Sequence, residues 1–216
     1  MNPDILRCVT VVAPPRTGYF KRFRISAREN GFDPLIIRLP SWPGHYQKVI
    51  TFAEWANGVA PAPEYVLFAD GNDVIWQTGL EPVLEMFLAS GRDIMFATEA
   101  GKWPDENAVY PEAPPNAHHR YLNAGLWIAK FRAAKRYLKD VLPKALEKPR
   151  SEQGIHVNAF LSGQHDMTLD YECRMAFCIK WEKLEKLGGR WTLSTGVTPA
   201  ALHGAGGWPL ENFLRR

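Results

Sequence analysis

The chain has 216 residues (24.5 kDa), 46% hydrophobic and 23% charged. That excludes a disordered or fibrous polypeptide and sets the length of one domain, large enough to fold without disulfide or metal staples. Its formal charge of +3 and pI near 8.7 are too mild for a dedicated nucleic-acid binder.

The chain alternates strand and helix signals. Cys8-Val-Thr-Val-Val-Ala13 is a buried apolar run of strand length, closed by Pro14 and Pro15. Thr17 to Asn30 reads as a helix with Phe20, Phe23 and Ala27 on one face and Gly31 at its C-terminal cap. Leu35–Arg38 is a second strand, and His45 to Asn57 is a second helix through Val49, Phe52, Ala53 and Ala56. Tyr65-Val-Leu-Phe-Ala69 is a third strand, followed by Asp70-Gly-Asn-Asp73. A helix over Leu80–Ala89 and a strand over Ile94–Thr98 complete a β-α-β-α-β-α-β order, the pattern of a parallel sheet covered on both faces.

The second half is less regular. Gly101–Arg120, with four prolines, has no periodicity and the length of a lid or binding loop. Tyr121–Lys130 reads as a strand interrupted by Gly125. Helices over Arg132–Leu146 and Glu152–Leu161 follow, then short strands near Met167–Asp170 and Thr198–Leu202. Neither an internal repeat nor a linker composition breaks the chain, so residues 1–216 are expected to form one domain. Residues 130–150 carry eight Lys/Arg, read either as a solvated helix face or as a site for an anionic acceptor.

Three cysteines (Cys8, Cys173, Cys178) cannot all pair and lack a zinc spacing, so they read as reduced thiols. The N-terminal segment has no basic stretch followed by an apolar run, and no stretch reads as a membrane span, so a cytoplasmic location without membrane partners is expected. Some of the eight Trp are expected to line a cleft.

The chemistry centres on Asp70 and Asp73. A buried strand delivers both carboxylates at its C-terminal end, where open α/β sheets bind ligands. Hard oxygen donors suit Mg²⁺ or Mn²⁺, which in turn clamp a diphosphate; the plain alternative is a turn whose carboxylates cap its own backbone. A phosphatase of the haloacid-dehalogenase type needs Asp-x-Asp, and this spacing is one residue longer.

Phe68-Ala-Asp-Gly-Asn-Asp-Val74 resembles the acidic motif of the glycosyltransferase domain of procollagen lysyl hydroxylases and their viral and bacterial relatives. The resemblance continues in order. Gly44 to Lys48 resembles that family's Gly-Gln-Lys helix start, and Phe96 to Pro104 its Ala-Glu-x-x-x-Trp-Pro segment. Tyr110-Pro111 and Arg120-Tyr-Leu-Asn-Ala-Gly125 resemble its Tyr-Pro and Phe-Leu-Asn-Ser-Gly elements. Glu152-Gln153 stands for its Asp-Gln, Leu169 to Arg174 with Phe177 for its Leu-Asp-x-x-x-Arg segment, and Leu202-His-Gly-Ala-Gly206 for its His-Gly-Asn-Gly. The hydroxylase domains of the multidomain members are absent from these 216 residues.

The resemblance implies a GT-A type, Rossmann-like domain with a mostly parallel central sheet, and a metal-dependent transfer of glucose or galactose from a UDP-sugar to an acceptor hydroxyl on a protein or glycan. It implies Asp70, Asp73 and His203 as ligands of Mn²⁺ or Mg²⁺. It implies Lys48, Asp70, Trp103, Gly204 and Gly206 around the UDP-sugar, and Glu152, Asn123 and Gln153 as the catalytic group. A lone Lys48 also reads as an ordinary exposed lysine. Asp170 is expected to hold the loop that carries Arg174. His118, His119 and His156 receive no role. Retention at the anomeric carbon is what the glucosyl-transferring members imply. The chain departs from the pattern at Pro149–Gln153, where Glu152 is the one carboxylate left, at Asn72, which replaces an aromatic residue, and at Leu126, which replaces a glycine. Transfer to hydroxymethylated DNA bases, with nucleic acid as acceptor, and an inactive sugar-nucleotide binding module are the alternatives.

Overall fold

A computed structural model of the chain describes residues 2–14, 18–180, 183–207 and 210. Pro15 and Thr17, named above, lie outside them. The elements are β1 (Leu6–Val12), α1 (Gly18–Glu29), β2 (Leu35–Arg38), α2 (Tyr46–Gly58), β3 (Tyr65–Ala69), β4 (Val74–Trp76), α3 (Glu81–Ser90), β5 (Ile94–Glu99) and β6 (Tyr121–Lys130). They continue with α4 (Phe131–Leu146), α5 (Glu152–Leu161), β7 (Met167–Leu169), β8 (Ala176–Cys178), β9 (Glu185–Leu187), β10 (Arg190–Thr192) and β11 (Ala201–His203), followed by a 3₁₀ turn at Ala205–Gly207.

The central sheet of the described residues runs β2-β1-β3-β6-β5-β8-β11-β4, with β7 also paired to β5. β1 pairs in parallel with β2 and β3, and β5 with β7 and β8; β8 and β11 are parallel too. The antiparallel pairings are those of β6 with β3 and β5, and of β4 with β11. β5 therefore runs in the direction of β3, as the alternating pattern predicts, but β6 from the less regular half is inserted between them. β9 and β10 form a separate hairpin. Gln77 fastens it, donating to Trp191 O and accepting from Trp191 N.

Both faces of the central strands are buried, which is why those strands read as continuous apolar runs. In β3, Val66 and Phe68 join the cluster under α2, α4 and α5, while Leu67 and Ala69 join the cluster under α1 and α3. Trp127 of β6 stacks between Phe68 and Phe96 of its two neighbours, with centroids 6.0 and 5.7 Å away. The basic run proves to be a helix face. α4 buries Phe131, Ala134, Tyr137, Leu138, Val141 and Ala145 and leaves Arg132, Lys135, Arg136 and Lys139 exposed on its outer face.

Two features shape the crevice. β4, three residues long, has no sequence signal of its own, yet it pairs Val74 with His203. The chain thereby turns back immediately after Asp73 and meets a strand from its far end. The second feature is a bulge in β6. Phe96 pairs with Trp127 and Ala97 with Asn123, so Ala124, Gly125 and Leu126 stand between consecutive pairings on that edge. Bulges re-aim a strand next to functional sites. Here the interruption suggested by Gly125 is a displacement within one continuous strand.

Candidate active site

Four strands of common direction end together. Asp70 follows β3, Glu99 closes β5, Cys178 closes β8 and His203 closes β11. The bulge of β6 fills the floor between them. Asp70 N donates to Gly125 O at 2.8 Å, and Gly125 N donates to Asn123 Oδ1 at 2.9 Å. Gly71 is required by close packing: a Cβ there would lie 2.7 Å from Thr10 Oγ1 and 3.0 Å from Val12 Cγ1. The Asp70–Asp73 turn therefore sits tightly on the end of β1.

Asp70, Asp73 and His203 converge, with one donor atom from each within 4.8 Å of the others. His203 is 3% exposed. Its Nε2 lies 3.5 Å from Asp73 Oδ1, an ion-pair distance without hydrogen-bond geometry. Asp73 Oδ1 is buried and accepts no hydrogen bond among the described residues. The main chain locks this pair, because Gly204 N donates to Asp73 O at 2.8 Å. Burial opposes a charge on His203, but Asp73 outweighs it and holds the imidazole well above its usual range, with Cys178 contributing. Burial pushes the Asp70 carboxyl up, Lys48 pulls it down, and Asp73 adds to the push. Two crowded carboxylates and an imidazole with a bare buried oxygen form a donor set that fits a hard divalent cation.

Across the crevice, Lys48 is buried rather than exposed. Its ammonium donates to both Asp70 oxygens, at 3.0 and 3.1 Å, and pairs with Glu152 Oε1. Burial works against the lysine charge, but Asp70 and then Glu152 outweigh it and keep it above its ordinary range. Glu152 opens α5, where a carboxylate suits the helix dipole. Burial would raise its pKa, yet Lys48 holds it below the usual carboxylate value, so it stays ionised. His45 Nδ1 stands 3.9 Å from Glu152 Oε2 at the exposed mouth.

A third cluster was only partly legible. Gln153 Nε2 donates to Glu99 Oε1 (2.7 Å), Leu122 O (3.0 Å) and Trp103 O (3.2 Å), while its Oε1 accepts from Ala124 N (3.2 Å). Asn123 Nδ2 reaches the same Glu99 oxygen at 3.2 Å, and Lys180 Nζ lies 3.4 Å from Glu99 Oε2. Asn123 and Gln153 thus meet at a buried carboxylate, Glu99, to which the sequence reading gave no role. A signal for Glu99 existed: its apolar strand closes on an acid, much as Asp70 follows β3. Cys178 and Lys180 had none, since a three-residue strand shows no period.

Trp103 stands 54% exposed beside this cluster, and Gly206 adopts a left-handed φ of 69°. Asp170 accepts from Arg174 N, Met175 N and Ala176 N at 3.0, 2.7 and 3.3 Å. It organises the turn into β8 and lies outside the crevice. All three cysteines are free and buried.

The family model described as the PLOD GT domain matches residues 3–182. This chain belongs to the PLOD glycosyltransferase-domain family. It is 33% identical over 136 residues to the procollagen-lysine,2-oxoglutarate 5-dioxygenase of Drosophila melanogaster, covering 58% of this chain and 19% of that protein. It is 29% identical over 140 residues to the multifunctional procollagen lysine hydroxylase and glycosyltransferase LH3 of Rattus norvegicus, covering 59% and 18%. The chain thus spans about a fifth of the length of these curated relatives. Among solved structures it is similar to a glycosyltransferase involved in glycosylating the major capsid of PBCV-1, with TM-score 0.58, 14% identity and 92% and 93% of the two chains covered. That likeness shows the GT-A-like fold. No helix among the described residues is long and apolar enough to cross a membrane.

Proposed function

We propose that this PLOD-type glycosyltransferase domain moves a hexose, glucose or galactose, from a UDP-sugar to an acceptor hydroxyl with the help of a divalent cation. The observation that carries the reading is the convergence of Asp70, Asp73 and His203 around a buried Asp73 oxygen that accepts no hydrogen bond. Those three residues would hold the ion, and two carboxylates with an imidazole favour Mn²⁺ over Mg²⁺. Bound there, it would supply a Lewis acid for the charge that builds on the departing diphosphate.

The remaining roles belong to the chain's own groups. Gly204 and Gly206 carry no side chain to keep phosphates away from the backbone. Lys48 offsets part of the negative charge of Asp70 and Glu152 and so lessens the repulsion that an anionic donor meets. Glu152, held ionised by Lys48, faces the positive charge that develops at the anomeric carbon, an interaction that grows toward the transition state. Asn123 and Gln153, fixed on Glu99, orient the sugar, and Trp103 offers it an apolar face. The relatives' names point to a hydroxylysine-like hydroxyl on a protein as the acceptor class. The alternative acceptor, a hydroxymethylated DNA base, would rest on the exposed basic face of α4 alone.

Thermal shift and donor hydrolysis test the proposal together. Mn²⁺ alone lacks the diphosphate oxygens, and UDP alone meets two carboxylates, so each should bind weakly. Ligand at a hundred times its Kd contributes about 2.7 kcal/mol, which at roughly 2–4 °C per kcal/mol for this chain length is a rise of about 5–10 °C for the pair. UDP-glucose or UDP-galactose should be hydrolysed with Mn²⁺ and not in EDTA. A full shift with UDP alone, or equal turnover in EDTA, overturns the metal-bridged site.

A further inference from the structure

We infer that Cys178 and Gly125 are positioning residues that set the rotation and tautomer of His203 so that its Nε2 faces the metal position. The inference rests on the metal reading above and extends it to two residues outside the proposed ligand set. The His203 ring is fixed on three sides. Nε2 looks toward Asp73 Oδ1 at 3.5 Å. Nδ1, on the opposite side, lies 3.4 Å from Cys178 Sγ, within reach of a sulfur hydrogen bond. Below the ring is the bulge of β6, where a Cβ on Gly125 would lie 2.7 Å from Nε2 and 2.8 Å from Nδ1. Only a residue without a Cβ lets the imidazole lie there.

The backbone supports the same arrangement. His203 and Cys178 are register partners in adjacent parallel strands, and Ile179 N donates to His203 O at 2.9 Å. Cys178 is fully buried, so its sulfur has no solvent competing for the contact. Ligation through Nε2 places the ring proton on Nδ1, and Cys178 Sγ is the acceptor that proton meets. Histidine ligands of metals generally need such a partner on the second nitrogen, and its loss costs about 10–100-fold in metal affinity. A thiol in this place is an uncharged, compact acceptor that fits under the packed β8–β11 pair.

Mn²⁺ binding, measured by titration calorimetry at saturating UDP, tests this on wild type, Cys178→Ala, Cys178→Ser and Gly125→Ala. Cys178→Ala should weaken Mn²⁺ binding about tenfold or more, and Cys178→Ser, which keeps an acceptor, should remain within a fewfold of wild type. Gly125→Ala should weaken it as well, through the ring it displaces. Unchanged affinity in Cys178→Ala, or equal losses in the Ala and Ser variants, overturns the hydrogen-bonding role while leaving the metal site intact. Wild-type protein that binds no Mn²⁺ overturns the metal reading itself. Should Cys178→Ala fail to fold, long-range ¹H–¹⁵N spectra of the wild type with Mg²⁺ and UDP decide the matter. His203 protonated at Nδ1 supports the assignment, and protonation at Nε2 overturns it.

Discussion

On the α2–α5 flank of the crevice, Lys48 lies between Asp70 and Glu152, and each buried charge has a protein partner within ion-pair distance. On the β4–β11 flank, Asp73 keeps a buried oxygen without a hydrogen bond, and its neighbour is an imidazole at 3.5 Å. Asp70 belongs to both flanks. One flank is complete within the chain, whereas the other, on the reading proposed above, would be completed by a divalent cation. The two should therefore fail differently, the first through stability and the second through ligand binding.

The largest expected effect is on the self-contained flank. Lys48→Met leaves Asp70 and Glu152 buried without their counter-charge. Removing one member of a buried pair costs about 3–5 kcal/mol, which urea unfolding at pH 7.5 should register. The loss should shrink as pH falls and the stranded carboxylates take up protons, and Lys48→Met combined with Glu152→Gln should recover part of it. A change under about 1 kcal/mol would show that water, rather than Lys48, solvates these acids.

The same flank holds a buried histidine that should shape the acid limb of the stability profile. His156 is buried beneath Glu152, bonded through Nδ1 to Tyr137 Oη and packed on Phe96. Burial lowers its pKa from 6.5 to about 4, with Glu152 opposing the shift and Lys48 adding to it. A histidine depressed in the folded state takes its proton in the unfolded chain first. Its contribution is thus present above pH 6.5 and lost as pH falls from 6.5 toward 4, a difference of about 3 kcal/mol. His156→Gln should flatten the stability profile across that window; an unchanged acid limb would place the titrating group elsewhere.

Asp73→Asn should show the opposite signature. It relieves the crowding of two carboxylates but also withdraws the charge that supports the His203 imidazolium, two opposing effects that should leave only a small net change in stability. Donor turnover should fall at least about a hundredfold, close to 2.7 kcal/mol in the barrier, and the joint Mn²⁺/UDP thermal shift should vanish. If this variant unfolds readily, or hydrolyses the donor within a fewfold of wild type, the two flanks do not differ in kind.

Each flank was legible in the sequence to a different degree. Asp70 and Asp73 announce themselves because β3 is a five-residue apolar run that ends in acids, and period-based reading finds such strands. His203 was reached through the His-Gly segment that resembles the family. Its meeting with Asp73 depends on β4 and β11, three residues each and too short for any period. Taken alone Lys48 reads as an exposed lysine and only the resemblance sets it at the donor, since helix periodicity reports apolar faces and cannot report that two acids from distant segments fold over an ammonium. The insertion of β6 between β3 and β5 is likewise non-local. Gly125 signalled an interruption, and only the paired strands reveal a bulge holding the floor of the site.

The smallest effect concerns the 101–120 loop, where the expected lid divides into two parts. From Tyr110 onward the segment is held: Tyr110 packs on Tyr121 and Phe160, with centroids at 5.2 and 6.0 Å, and His118 N donates to Tyr171 O at 2.7 Å. His119 is buried and stacks on Phe177 at 5.0 Å. Before Tyr110, Trp103 is 54% and Val109 85% exposed, and the Gln153 Nε2 bond to Trp103 O ties this part to α5. Closure over a donor should therefore involve residues 101–109 alone, with Gln153 as its tether. Hydrogen exchange on adding UDP and Mn²⁺ should slow in 101–109 and stay unchanged in 110–120. Gln153→Ala frees the tether and removes one donor from Glu99, an effect of about 1–3 kcal/mol that should raise donor KM and abolish the protection in 101–109. Protection spread evenly across the loop would make it a single hinged unit. Protection that survives Gln153→Ala would mean that the Trp103 ring, rather than its carbonyl, holds the loop on the sugar.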